Sequence, residues 1–196
     1  MSIEDMMRTV SELKDRAEIH DCLMRYSRAV DRLDRELLLT VYHSDAVDDH
    51  GVFVGGPEQF ADWVIEMHTR THLSHQHCQF NSTIEIDGTV AHTETYFMFV
   101  GLNREGKPLA VSGGRYIDRL EKRDGRWAIA ERVCIRDWAP LDEIPTDLDQ
   151  SKMTAVKNLP ERILTLMRTG PQTTRDRSDP SYMRPLKVDR SRVIDG

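Results

Sequence analysis

Apolar residues recur at Ile19, Leu23, Tyr26 and Val30, the i, i+4, i+7, i+11 spacing of one helix face, and predict a helix over roughly Ser2 to Leu33. Asp34 is placed to cap a second helix through RELLLTVYH, with Leu37, Leu38, Val41 and Tyr42 on its buried side. AVDDHGVFVGG reads as a strand ending at Gly55-Gly56. Pro57 then opens a helix whose core face carries Phe60, Val64 and Met67. From His75 the period changes to two. HQHCQFNSTIEI runs to an Asp87-Gly88 turn and TVAHTETYFMFVGL returns from it. PLAVSGGRYIDRLE and WAIAERVCIRDW follow, joined by the turn KRDGR. Helices first and a meander of long strands afterwards predict an α+β fold, a curved antiparallel sheet packed around N-terminal helices, bent at Gly113-Gly114.

Beyond Pro140 the pattern decays. LDEIPTDLDQSKMTAV is acidic and turn-like, NLPERILTLMRT suits a short helix, and the remainder has little apolar periodicity. This divides the chain into a domain over residues 1–140 and a C-terminal extension over 141–196, expected to drape over its own domain or a neighbouring subunit.

At 196 residues the chain is long enough to bury a core. A net charge of -6 and a pI near 5.7 give no support for nucleic-acid binding. Cys22, Cys78 and Cys134 are widely spaced and form no C-x-x-C pair, which suits a reducing compartment. The N-terminus lacks a signal-peptide pattern, and no apolar run approaches the roughly 20 residues that span a bilayer. The expectation is a cytoplasmic protein that neither spans a membrane nor binds nucleic acid.

Two stretches carry candidate chemistry. Asp31 lies just beyond the apolar stripe that holds Tyr26, and a carboxylate there needs a partner. Strand alternation puts His75, His77, Gln79 and Asn81 on one face, so that His77 can approach Asp31. A carboxylate on one imidazole nitrogen fixes the tautomer and raises the basicity of the other, and Tyr26 could donate to a substrate oxygen that gains charge. On the last strand, alternation groups Ala128, Ala130, Arg132, Cys134, Arg136 and Trp138, leaving space around Arg132 for an oxyanion or leaving group in a largely apolar pocket. The duller alternatives stay open: Asp31 as a cap between helices, Tyr26 as core, and Arg132 paired with Asp137 or Glu94. His68, His72, His75 and His77, with Asp48, Asp49 and His50, could also hold a divalent metal. Without a diagnostic spacing such as H-E-x-x-H, no metal is the expectation.

DRAEIHDCLMRYSRAVDRLD, VYHSDAVDDHGVFVG, SHQHCQFNSTIEIDGTVAHTETYF and GGRYIDRLEKRDGRWAIAERVCIRDW together resemble the SnoaL-like branch of the nuclear-transport-factor-two-like, cone-shaped α+β barrel superfamily, over roughly Met6 to Pro140. Its lyase members, among them scytalone dehydratase, bile-acid 7α-dehydratase and gamma-hexachlorocyclohexane dehydrochlorinase, pair an aspartate with a histidine and use no cofactor. The resemblance implies catalytic roles for Asp31, His77, Tyr26 and Arg132, and a pocket containing His50, Asn81, Tyr42 and Trp138. It implies a lyase acting on an apolar polycyclic or steroid-like molecule, with a ketosteroid-isomerase-like isomerase or a ligand-binding protein as alternatives. It also implies a homo-oligomer, trimer or dimer. His50 departs from the pattern, since the dehydratases tend to carry tyrosine there.

Overall fold

A computed structural model describes residues 1–139 and 160–193. Helix α1 spans Ile3–Arg32, opened by a capping box in which the Ser2 side chain accepts the Asp5 N–H and Asp5 reaches back to Ser2. Only its second half is buried, through Ile19, Cys22, Leu23, Tyr26, Ala29 and Val30. It ends at Leu33 in the left-handed conformation, and the Asp34 carboxylate then caps the short α2, Arg35–Leu39.

Two sequence expectations change here. Val41 and Tyr42 leave the second helix, because Tyr42 begins strand β1 (Tyr42–Asp49), which runs parallel to the last strand and recovers its backbone hydrogen bonds there. The single strand expected through Gly56 breaks at Gly51, whose φ of 74° turns the chain back, so that β2 (Val54–Gly55) pairs antiparallel with β1. Helix α3 follows over Pro57–Thr71 with proline in its first turn and Phe60, Val64 and His68 buried on one stripe.

The meander is as its turns foretold: β3 (His72–Asp87), β4 (Val90–Asn103), β5 (Leu109–Arg123) and β6 (Arg126–Trp138). The six strands lie in the order β2-β1-β6-β5-β4-β3. The fold is α+β, with N-terminal helices on a curved sheet that does not close into a barrel and is mixed rather than purely antiparallel, because β1 runs parallel to β6. At Gly114 a side chain would meet the Ile135 carbonyl, and the β5–β6 register shifts between Gly113 and Gly114, where the bend was expected.

The sheet has an apolar cluster on each face. Between sheet and helices, Ile19, Leu23, Tyr26, Phe60, Tyr116 and Trp127 belong to the larger core. On the other face, Val47, Ile117, Val133 and Ile135 meet Leu166 of α4 (Glu161–Thr169), Leu186 and Val188. The described part of the C-terminal extension thus covers its own sheet. Its ion pairs agree: Asp179 accepts from Arg115, and Arg192 pairs with buried Asp49. The acidic stretch LDEIPTDLDQSKMTAV lies outside the described residues.

Candidate active site

Asp31 occupies the last turn of α1, beside the start of β3. Its carboxylate receives Nδ1–H of His77 at 2.7 Å and the His77 backbone N–H at 3.0 and 3.1 Å. A carboxylate acceptor makes Nδ1 the protonated nitrogen, so the neutral ring keeps its lone pair on Nε2. Among the described residues Nε2 makes no hydrogen bond. Burial pushes the His77 pKa below its ordinary value, and Asp31 offsets only part of that. A neutral imidazole near pH 7, aligned by a carboxylate, is the form a general base requires.

A second group of charges lies within the aromatic core. Tyr26 Oη is 3.2 Å from His50 Nε2, and His50 Nδ1 pairs with Asp48, which also accepts the Tyr42 hydroxyl at 2.6 Å. Burial alone would depress the His50 pKa, but the neighbouring Asp48 carboxylate, with a further contribution from Tyr26, raises it well above the ordinary value. As an imidazolium His50 donates to both neighbours, and the Tyr26 hydroxyl also shares a hydrogen bond with Tyr116. Burial holds the Tyr26 phenol neutral by raising its pKa.

Arg132 is fully buried. Its Nε and Nη2 donate to the two oxygens of Asp118 at 2.6 and 2.8 Å, and its guanidinium carbon lies 4.0 Å from the Tyr26 ring centroid and 4.4 Å from that of Tyr116. Asp137 and Glu94, the carboxylates that sequence proximity offered it, instead take Arg115. Arg132 Nη1 is buried with no partner among the described residues, a donor still to be used.

Two bulges redraw the faces that simple alternation assigned. The β3–β4 register shifts between Gln79 and Ser82, so Asn81 stands exposed while Ser82, Ile84 and Ile86 are partly buried. Asn81 is therefore not beside His77. The β5–β6 register shifts between Arg119 and Leu120, which brings Ile129 and Trp127 into the helix-side core that Arg132 and Tyr26 share. The space around Arg132 is consequently filled by rings rather than left open by Ala128 and Ala130. Trp138 is half exposed at the end of β6, packed over Gly113. Tyr42 is buried, bound to Asp48 rather than facing a cavity. Sequence reasoning missed Asp118 and the role of Asp48. Asp48 had a signal, since it and His50 stand two apart on one side of an extended segment.

His75 lies beside the dyad but bonds elsewhere: its Nε2 is 3.1 Å from the Val30 carbonyl and 3.9 Å from Asp31 Oδ1, and its ring stacks on His68 at 3.9 Å between centroids. His68 and His72 place their Nδ1 atoms 3.1 Å apart. A cavity of about 270 Å³ beside the dyad is lined by Asp31, His68, His72 and His75 together with Leu33 and Leu73, so polar and apolar surface are mixed in it.

Residues 11–133 match the SnoaL-like domain, and the chain belongs to that family, within the nuclear-transport-factor-two-like superfamily. No curated protein matches the chain. Among solved structures, LinA is 22% identical, with 71% of this chain and 97% of that one aligned at a TM-score of 0.64. Hexachlorocyclohexane dehydrochlorinase LinA-type3 from Novosphingobium barchaimii gives 20% identity, 69% and 96% coverage and a TM-score of 0.62. A putative scytalone dehydratase from Novosphingobium aromaticivorans gives 18%, 70%, 93% and 0.61. At these identities the likeness shows the fold.

Proposed function

We propose that the protein is a cofactor-independent lyase of the dehydratase or dehydrohalogenase type, in which His77 removes a proton from carbon. The observation that carries this reading is the partly buried His77–Asp31 pair at 2.7 Å, whose Nε2 makes no hydrogen bond among the described residues. Family membership and the dehydrochlorinase and dehydratase neighbours support it. Asp31 holds the ring in one tautomer and stabilises the imidazolium that forms. The Tyr26 hydroxyl, which the His50 imidazolium donates to, is suited to protonating a departing oxygen or binding a departing halide, with the Arg132 guanidinium stacked on its ring at 4.0 Å as a buried positive charge behind it. The surrounding rings, Phe99 and Tyr116 among them, suit a largely apolar, polycyclic or steroid-like substrate.

An isomerase of the ketosteroid type is the second reading, and one observation favours it. Among the described residues no hydrogen bond or ring contact joins His77 to the Tyr26–His50 group, and a proton taken and returned by His77 alone needs no separate acid. The deciding experiment incubates the protein with cyclic alcohols, cyclic halides and unsaturated ketosteroids and follows products by mass. Loss of water or halide, reduced about 10²- to 10⁴-fold in His77→Gln and Asp31→Asn, supports the lyase. An unchanged mass with a moved double bond gives the isomerase. Undiminished turnover in His77→Gln, or ligand binding with no product, overturns both.

A further inference from the structure

The first half of α1 stands clear of the domain. Among the described residues its earliest hydrogen bonds to the sheet are at Asp15, whose carboxylate accepts from Lys122 Nζ at 2.6 Å and Trp127 Nε1 at 2.9 Å. Upstream of that point Ile3, Met6, Met7, Val10 and Leu13 are all exposed, from 49% at Met6 to 78% at Ile3. They are not scattered. Ile3 and Val10 stand seven residues apart, and Met6 and Leu13 follow each of them by three, the a and d spacing of a helix pair. The ion pairs of these turns, Asp5 with Arg8 and Glu12 with Arg16, lie off the stripe and leave it unbroken. The family match begins only at residue 11, so most of the stripe belongs to this chain rather than to the shared domain. We propose that the first half of α1 is a self-association surface, on which the same segment of a second copy packs antiparallel.

The stripe complements itself. Setting Ile3 against Leu13 and Met6 against Val10 uses each apolar position twice about a twofold axis, as an isologous contact requires. In that register the acidic first turn, Glu4 and Asp5, runs alongside Lys14 and Arg16 of the other copy, and the two helix dipoles oppose. The overlap over Ile3–Leu13, about 16 Å long, ends where each domain begins, so the domains stand at opposite ends. Parallel helices would instead drive both domains into the same space. Five exposed apolar side chains per copy remove on the order of 1,000 Å² from water across the pair, the lower bound for specific association, so the dimer is reversible. A lipid surface fits less well. Residues 1–16 carry Glu4, Asp5, Glu12 and Asp15 against Arg8, Lys14 and Arg16, without the basic flanks of a membrane-surface helix.

The test uses the full chain without an affinity tag, in sedimentation velocity runs from low micromolar to submillimolar concentration. The expected result is a reversible step that doubles the mass. Val10→Glu and Leu13→Glu each raise its dissociation constant at least about tenfold, because each sets an unpaired carboxylate in the seam. Both positions face solvent in the single chain, so the variants keep its fold, which circular dichroism checks. Mild oxidation reads the orientation. In the antiparallel register Met7 lies beside its own copy near the axis, so Met7→Cys gives a disulfide-linked dimer and Ile3→Cys does not, with the wild type and its three free cysteines as control. Linkage through Ile3→Cys and not through Met7→Cys means parallel helices and overturns the proposal. An assembly with the same mass in wild type and Val10→Glu at every concentration also overturns it, since another face then holds the copies together. A chain that stays monomeric throughout overturns it too, and if that monomer sediments with phosphatidylcholine vesicles the stripe belongs to a lipid surface. None of these outcomes depends on turnover, so the lyase reading stands or falls separately.

Discussion

Replacing Asp118 by asparagine tests how much of the domain depends on one buried ion pair. Arg132 Nε and Nη2 contact its oxygens at 2.6 and 2.8 Å, and both side chains are 0% exposed. Asparagine keeps the shape and one acceptor, so the substitution removes chiefly the charge. Two unit charges about 4 Å apart attract by about 4 kcal/mol at an effective dielectric constant near 20. Removing one member of a buried pair destabilises by about 3–5 kcal/mol, because the other remains desolvated and uncompensated. In the wild type burial opposes the Arg132 charge but Asp118 outweighs it; in the variant that compensation is gone, and because an arginine side chain is not deprotonated in proteins the charge stays buried instead of being relieved by loss of its proton. A chain of this size loses about 2–4 °C of melting temperature per kcal/mol, so a drop of about 6–20 °C is expected. Urea unfolding followed together by circular dichroism and tryptophan fluorescence should show a lower midpoint at an unchanged slope. A loss below about 1 kcal/mol would refute the reasoning. A second arm separates charge from packing. The double substitution Asp118→Leu, Arg132→Met should recover most of the stability, since apolar replacement of a buried pair is often neutral or better. If the double variant is as unstable as Asp118→Asn, the stacking of Arg132 on Tyr26 and Tyr116 matters more than its charge.

Two further outcomes follow from the same structure. His50 has a folded pKa raised well above 6.5, so the unfolded chain loses that proton first as pH rises. Its contribution is therefore complete below about 6.5 and lost as pH climbs through the folded pKa, with a slope of up to about 1.4 kcal/mol per pH unit. Urea midpoints measured across that range should decline in the wild type and flatten in His50→Gln, and an equal slope in both would remove the His50 assignment. Leu186 is fully buried against the face of the sheet away from the helices, in the cluster with Val47, Ile117 and Val133. Leu186→Ala should cost about 2–5 kcal/mol in chemical unfolding, and a near-neutral result would mean that the extension is not part of the cooperative unit.

What could be read from the chain was whatever is fixed within a few residues. The α1 stripe, the Asp34 cap, Pro57 at the start of α3 and the Asp87-Gly88 and Asp124-Gly125 turns are local, and each stands where its chemistry puts it. The failures on the long strands are register failures. A single extra residue in a strand reverses every side chain beyond it, so the bulge between Gln79 and Ser82 sent Asn81 outward, and the one near Ala130 exchanged two alanines for Ile129 and Trp127. Partners across strands were hidden for a related reason. Asp118 faces Arg132 only because β5 and β6 pair in that register, and Arg192 finds Asp49 across 143 residues of chain.

The site itself combines both kinds of information. Alternation along β3 correctly gives His75 and His77 one face, but does not say why they differ in role. That difference comes from α1, whose last turn offers successive residues with unlike acceptors: the Val30 carbonyl to His75 and the Asp31 carboxylate to His77. A carbonyl fixes a tautomer but carries no charge, whereas a carboxylate fixes it and also stabilises the imidazolium that proton abstraction would form. The same pair of neighbouring acceptors therefore leaves His75 as a ring oriented by a carbonyl and His77 as a ring held by a carboxylate, the arrangement on which the proposed proton abstraction rests. Exchanging Asp31 for asparagine would make the two histidines chemically alike, which is why that single substitution separates orientation from basicity at this site.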